Sequence, residues 1–326
     1  MTSKHDKQLA SLSMDLDNQW SYMKIHGDPG WESFPSYFDI LIPLILDLLD
    51  ELNLKITFFV VGRDAILEKN KEPLAHLKDK GFEIGNHSFS HEPWFRSDSI
   101  TRIEREVLKA EEAITTLFGQ KPLGFRGPGF TWDRQIIKIL KENGYIYDAS
   151  VLPTYFGPLA RSYYFWKSNL SSEEKQKRTD LYGSLKDGFW PLKPYLWQME
   201  SNETLLEVPI TTMPFFRIPC HLSYLLYIGR FSQALMLTYL KSVIALCHLT
   251  KTSLSFLLHP LDFLDLDIAP ELSFFPAMDL KMERKIHLFK KVIEVLSYHY
   301  SLVDMNTHAI ALLEEKKLKK IEVHNG

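Results

Sequence analysis

With 326 residues, 45% of them hydrophobic, the chain can bury a large core as one α/β unit or two smaller ones, which excludes a disordered tail. Its net charge is −3 and no block of basic residues interrupts the apolar patterning, so the electrostatic footprint of a nucleic-acid binder is missing. The two cysteines, Cys220 and Cys247, exclude a disulfide scaffold.

Residues 1–8 are polar and lack the apolar segment of a signal peptide. Arg230, Lys241 and Lys251 punctuate the most hydrophobic part, 222–258, so no membrane span is expected and the location expected is cytoplasmic. Residues 10–17 read as a first strand that Asn18 ends. Side chains alternate along a strand, so Asp15 and Asp17 face one side at its carboxyl end, although an Asx-capped turn fits the same residues. Residues 37–54 show helical spacing, 55–62 a buried strand ended by glycine, 73–80 a helix stopped by Gly81, and 82–84 a third strand.

That strand leads into Gly85-Asn86-His87-Ser88-Phe89-Ser90-His91. On a helical turn, residues four apart share a face, so both imidazoles could converge on one point, as a metal ion requires. Taken alone, the pair also fits chance or a hydrogen-bonded loop.

Residues 99–118 form an amphipathic helix with a capping-type start at Ser99, and 124–130, which carries Arg126, a short strand and turn. A helix over 133–143, stopped by Gly144, precedes a strand at 146–148. The alternation predicts a parallel sheet, open or closed into a barrel, with the site at the carboxyl ends of its strands.

Residues 151–203 break the rhythm and read as an inserted, aromatic-rich lid. Tyr155, Tyr163, Tyr164, Trp166, Tyr182, Trp190, Tyr195 and Trp197 suit either stacking on sugar rings or a satellite core under a long loop. Strand pattern resumes at 205–210. Residues 231–249 form a strongly apolar helix, read as a buried barrel helix in preference to a membrane contact. A buried strand over 253–258 ends in His259, 282–298 is the closing helix, and 311–326 is a charged tail. The expected organisation is therefore one unit, 9–310, followed by that tail.

Five features recur in order: Asp15-Leu16-Asp17, Thr57-Phe58-Phe59-Val60-Val61-Gly62, His87-Ser88-Phe89-Ser90-His91, Arg126-Gly127-Pro128 and Leu258-His259-Pro260. In this combination the chain resembles the polysaccharide deacetylases, the NodB-homology or carbohydrate esterase family 4 enzymes. The resemblance implies an α/β fold, a distorted (β/α) barrel with one divalent metal ion, zinc first and cobalt, nickel or manganese as alternatives. It maps the metal triad onto Asp17, His87 and His91, the catalytic base onto Asp15, the base-orienting arginine onto Arg126 and the general acid onto His259.

The chemistry agrees with those roles. An ion at the triad would polarise an amide carbonyl and activate water, Asp15 would take the water's proton, and His259 would protonate the departing amine. For His259 alone, a satisfied core histidine is the competing reading. Backbone N–H groups near Gly129 and Phe130, with Trp132 beside them, are the expected oxyanion and substrate contacts. The commonest family pattern has adjacent aspartates followed by glycine, whereas this chain has Asp-Leu-Asp-Asn, which looks like the branch of intracellular deacetylases and amide or imide hydrolases. The family's aspartate beside tryptophan has no clear match, and Asp148 and Asp262 are the expected partners for His259.

The function expected from the resemblance is removal of an N-acetyl group from an amino sugar in a polysaccharide or glycan precursor. An amidase, imidase or deformylase acting on a small amide at the same ion, and a catalytically silent carbohydrate-binding barrel, are the alternatives.

Overall fold

The structure is a computed structural model that describes residues 7–168, 170–177, 184–315 and 317–323. The side chains of Ala160, Tyr163, Tyr164, Lys167 and Lys177 fall outside the description, as does the whole of Tyr182. The alternating run at the start becomes β1, Leu9–Leu16, buried at every position after the first because it lies inside the sheet with partners on both edges. The other strands are β2 Thr57–Val60, β3 Glu83–Asn86, β4 Gly124–Phe125, β5 Tyr147–Asp148, β6 Tyr195–Gln198, β7 Thr204–Glu207, β8 Leu254–Leu258, β9 Ser301–Val303 and β10 Lys319–Glu322.

The strand order is β10-β6-β7-β5-β4-β3-β2-β1-β8, with β9 also on β1. Among these strands every pairing is parallel except β6 with β7. Parallel strands joined by helices bring their carboxyl ends to one side. One row of pairing runs Leu16, Val60, Asn86, Phe125, Asp148, Glu207, and the residues just beyond its first, third and fourth members are Asp17, His87 and Arg126. Met14 pairs with Leu258, which sets His259 level with Asp15.

The expected barrel is recorded as an open path of strand pairs. The chain beyond β7 nevertheless reaches β8: Thr211 donates its N–H to the Ser255 carbonyl at 3.1 Å, and Ser255 N–H returns to Thr211 Oγ1 at 2.8 Å. Helices Phe38–Glu51, Glu68–Asp79 and Ile100–Phe118 cover the sheet with apolar faces that include Leu41, Ile45, Leu74, Val107 and Ile114, all buried. Ser99 stands at the N-cap of the last of these without a side-chain capping bond.

Several expectations are corrected. Asn18, read as the end of a strand, accepts the Gln19 N–H and starts a helix, Gln19–His26. A second unexpected helix, Leu222–Gly229, precedes Gln233–Thr250. That last helix is long and apolar enough to cross a membrane, and it is not wholly buried as expected: it hides Met236, Leu240 and Val243 but leaves Leu235 58% and Leu249 74% exposed. The insertion ends earlier than expected, since Tyr195 and Trp197 are fully buried in β6 and pack with Trp132 and Trp190. Before β6 it folds as helices Gly157–Lys167 and Ser172–Lys177. The tail is not merely a solvated helix end: after helix Met305–Glu314, β10 pairs with β6 from Lys319↔Tyr195 to Glu322↔Gln198.

Candidate active site

Asp17, His87 and His91 offer ligand atoms that all lie within 4.8 Å of one another, and all three residues are buried. His91 Nε2 is 2.8 Å and His87 Nε2 3.3 Å from Asp17 Oδ1. The two imidazoles do not meet through a helical turn. Residues 87–91 form a loop in which Ser88 and His91 hold positive φ of 60° and 50°, a backbone strain that non-glycine residues keep only where their surroundings enforce it.

The enforcement is visible. Asn86 Oδ1 accepts the Ser88 N–H at 2.9 Å, His87 N–H bonds Val60 O, and Gly62 and Arg63 donate to the carbonyls of Ser88 and Phe89. The loop is thereby fastened to the end of β2, and an Asx turn replaces the helical turn inferred from spacing.

The ring nitrogens are arranged for an ion. His87 Nδ1 donates to the Arg126 carbonyl at 2.7 Å, which fixes the tautomer and turns the Nε2 lone pair toward Asp17. Asp17 Oδ1 and both nitrogens of His91 are buried without a hydrogen-bond partner among the described residues. Polar atoms so close yet unbonded fit three ligands around a common centre, and one acid with two imidazoles is a donor set that divalent zinc accepts. Burial alone would raise the Asp17 carboxyl, but the neighbouring His91 and His87 outweigh it and hold it well below the usual range. Burial would lower His87, and the carboxylates of Asp15 and Asp17 raise it.

Asp15, in β1, is buried and accepts from Arg126 Nη1 at 2.7 Å. The guanidinium is fully buried. Its Nη1 also meets Ser13 Oγ at 2.9 Å, its Nε donates to Ala149 O at 2.9 Å, and it stacks 4.3 Å over Phe59. Gly127 is demanded by close approach: an added Cβ would stand 1.8 Å from the Thr131 carbonyl oxygen. Gly127→Ala should therefore cost about 1–3 kcal/mol as the turn after Arg126 is forced open, read from urea denaturation midpoints.

His259 follows β8. Its Nδ1 lies 3.1 Å from Ser223 Oγ, and its N–H donates to Asp262 Oδ2 at 2.8 Å. Of the two acids expected to partner His259, Asp262 is beside it, through that backbone bond, and His259 and Ser223 both act on its carboxyl electrostatically. Asp148 is engaged elsewhere, with Ser150 Oγ at 2.6 Å and with Glu207, because the strand pairing sets β5 against β7 and away from β8. The expected oxyanion donor at Phe130 is also corrected: its N–H is bonded to Gly127 O inside a 3₁₀ turn, Pro128–Phe130, with Gly129 at φ 59°. Trp132, expected near substrate, packs 4.8 Å from Trp190 and 4.7 Å from Trp197.

Sequence reasoning missed four neighbours. Tyr22, from the unexpected helix, is buried, its hydroxyl has no partner among the described residues, and Asp17, Asp262 and Asp15 all act on it electrostatically. His221 stands 5.8 Å from His259, and burial, with the charge of His259, pushes it down to about 3. Tyr37 donates its hydroxyl to the Asp17 carbonyl. Glu207 was passed over inside an apolar strand, where an acid at a buried position was the available signal.

Asp148 and Glu207 share the interior behind Arg126. Burial raises Asp148 to about 6 and Glu207 well above its ordinary value, with the mutual charge adding to the latter. A raised carboxyl binds its proton more tightly folded than unfolded, so stability is full below pH ~4 and falls as the pH rises through about 6. Asp148→Asn should flatten that fall in a series of melting temperatures from pH 4 to 8.

Residues 34–147 match the polysaccharide deacetylase family. Over 122 residues the chain is 30% identical to a peptidoglycan deacetylase of Helicobacter pylori, covering 37% of this chain and 40% of that protein. Over 134 residues it is 30% identical to a peptidoglycan-N-acetylglucosamine deacetylase of Bacillus cereus, covering 41% and 58%. The match thus spans less than two thirds of these relatives. In fold, the chain is similar to a Mycobacterium smegmatis protein assigned as a polysaccharide deacetylase, with a TM-score of 0.63 at 17% identity over 100% of this chain and 97% of that one. It is also similar to Puue allantoinase, with a TM-score of 0.59 at 15% identity over 96% and 93%. His87, His91 and Arg126 fall inside the segment that matches the polysaccharide deacetylase family, and Asp15 and Asp17 meet them from β1.

Proposed function

We propose that the chain is a metal-dependent hydrolase that removes the N-acetyl group from an amino sugar in a polysaccharide or glycan precursor, peptidoglycan among them. The observation that carries this reading is the convergence of Asp17, His87 and His91 beside an Asp15 carboxylate held by Arg126. The names of the Helicobacter pylori and Bacillus cereus relatives support the sugar. When bound at the triad, a divalent ion, zinc for preference, supplies Lewis acidity toward the amide carbonyl and the attacking water.

The chain's own groups do the rest. Arg126 aims the Asp15 carboxylate, which accepts the water's proton. With Nδ1 against Ser223, His259 has Nε2 to deliver a proton to the nitrogen as the C–N bond breaks and acetate leaves. The Tyr22 hydroxyl takes the place of the Phe130 N–H as the donor available to the developing oxyanion.

The test is product analysis. Incubation with N-acetylglucosamine oligomers and with peptidoglycan should release acetate and expose free amines, and a chelator should stop the release. Ring opening of allantoin or formate release from a formamide, with no acetate from either glycan, would replace this reading by the amide or imide hydrolase.

A further inference from the structure

On the flank of the sheet, a cleft of about 1020 Å³ is walled by the start of β1, the segment leading into β6, the turn before β8 and the residues around β10. None of the proposed catalytic or metal-binding residues lines it. Leu9 is on its wall, and Asp17 lies eight residues further along the chain, roughly 26 Å at strand rise.

Six cationic side chains line this cleft: Lys7, Lys193, Arg217, Lys251, Lys317 and Lys319. Among the described residues Glu315 is the one acid on the lining. Among the described residues none of the six forms an ion pair; Lys7 donates to the Ser297 carbonyl and Arg217 to that of Trp190. Elsewhere, Lys24, Arg102, Lys121 and Arg126 each hold a carboxylate. In a chain of net charge −3, six unneutralised cations gathered from separate segments around one concavity create a strongly positive local potential. Phe189, Leu192, Leu9 and Leu312 add apolar wall.

We propose that this cleft is a second binding site, for a soluble ligand carrying two or more phosphate groups on a partly apolar body, a diphosphate ester in its simplest form. Six cations exceed what a monoanion can neutralise, and the walls would cover an apolar or aromatic moiety. A flat bilayer cannot enter a concave cleft, which argues against a lipid headgroup. This assignment does not depend on the reaction proposed for the metal site.

The test is calorimetric titration of the full chain with inorganic tripolyphosphate, with uridine diphosphate and with phosphatidylglycerol vesicles. Saturable binding of both soluble phosphates, one per chain, that weakens as salt is raised is expected. Lys193→Glu combined with Lys319→Glu should weaken it at least tenfold, and the milder Lys193→Gln with Lys319→Gln several-fold, at unchanged melting temperature. Lys71→Glu with Lys138→Glu, outside the cleft, should leave it within twofold. Equal affinity in the cleft variants, or binding to vesicles with no saturable binding of either soluble phosphate, overturns the proposal.

Discussion

Asp15→Asn should lower kcat by about 10²–10⁴-fold, the usual contribution of a positioned general base, while the protein keeps its metal. The separation follows from geometry. Asp15 is tied to Arg126 and Ser13 through the guanidinium, whereas the converging ligand atoms come from Asp17, His87 and His91. Asparagine retains an oxygen that can accept from Arg126 Nη1, so the change removes basicity with little disturbance of the interior. Rates from initial acetate release, set beside metal content by mass spectrometry, check both halves. A variant that loses its metal together with its activity would mean that Asp15 belongs to the ion's ligand set.

Arg126→Met should produce the largest loss of stability, about 3–5 kcal/mol, because it leaves the buried Asp15 carboxylate without its counter-charge. The side chain also fastens three parts of the sheet: Ser13 and Asp15 on β1, Ala149 just beyond β5, and Phe59 on β2 beneath the guanidinium plane. Methionine fills much of the volume but supplies none of these bonds. If the unpaired carboxylate is the cause, adding Asp15→Asn to Arg126→Met should recover part of the loss, since the charge that was stranded is gone. Denaturant melts of the single and double variants give the answer. No recovery would assign the cost to the lost Ala149 and Ser13 contacts instead.

What the sequence disclosed and what it withheld have the same physical origin. β2 and β8 are buried on both faces and read as apolar runs and β1 reads as an alternating strand, so Asp15, Asp17 and His259 could be placed near strand ends from sequence. The histidine pair was legible as a pair but not in its conformation. The turn depends on the Asn86 side chain and on bonds to the distant end of β2, neither of which a four-residue spacing contains. β10 escaped notice because an edge strand with a single apolar residue, Ile321, among lysines and a glutamate has no apolar alternation; its place is set by pairing with β6.

The same limit explains Asp148. On sequence it was one acid near the expected position, and only the alignment of β5 with β7 sets it against Glu207. Tyr22 was hidden by Asn18, whose side chain can end a strand or cap a helix with equal ease. In both cases a local signal existed, and a tertiary neighbour decided its meaning.

The central claim is that Asp17, His87 and His91 form one ion's ligand set, and the most direct measurement is calorimetric titration of metal-free protein with zinc. The account predicts one ion bound per chain, with His91→Ala and Asp17→Ala each lowering the affinity by orders of magnitude while His259→Ala leaves it unchanged. Zinc binding that persists undiminished in both triad variants, or none in the unaltered chain, would contradict it.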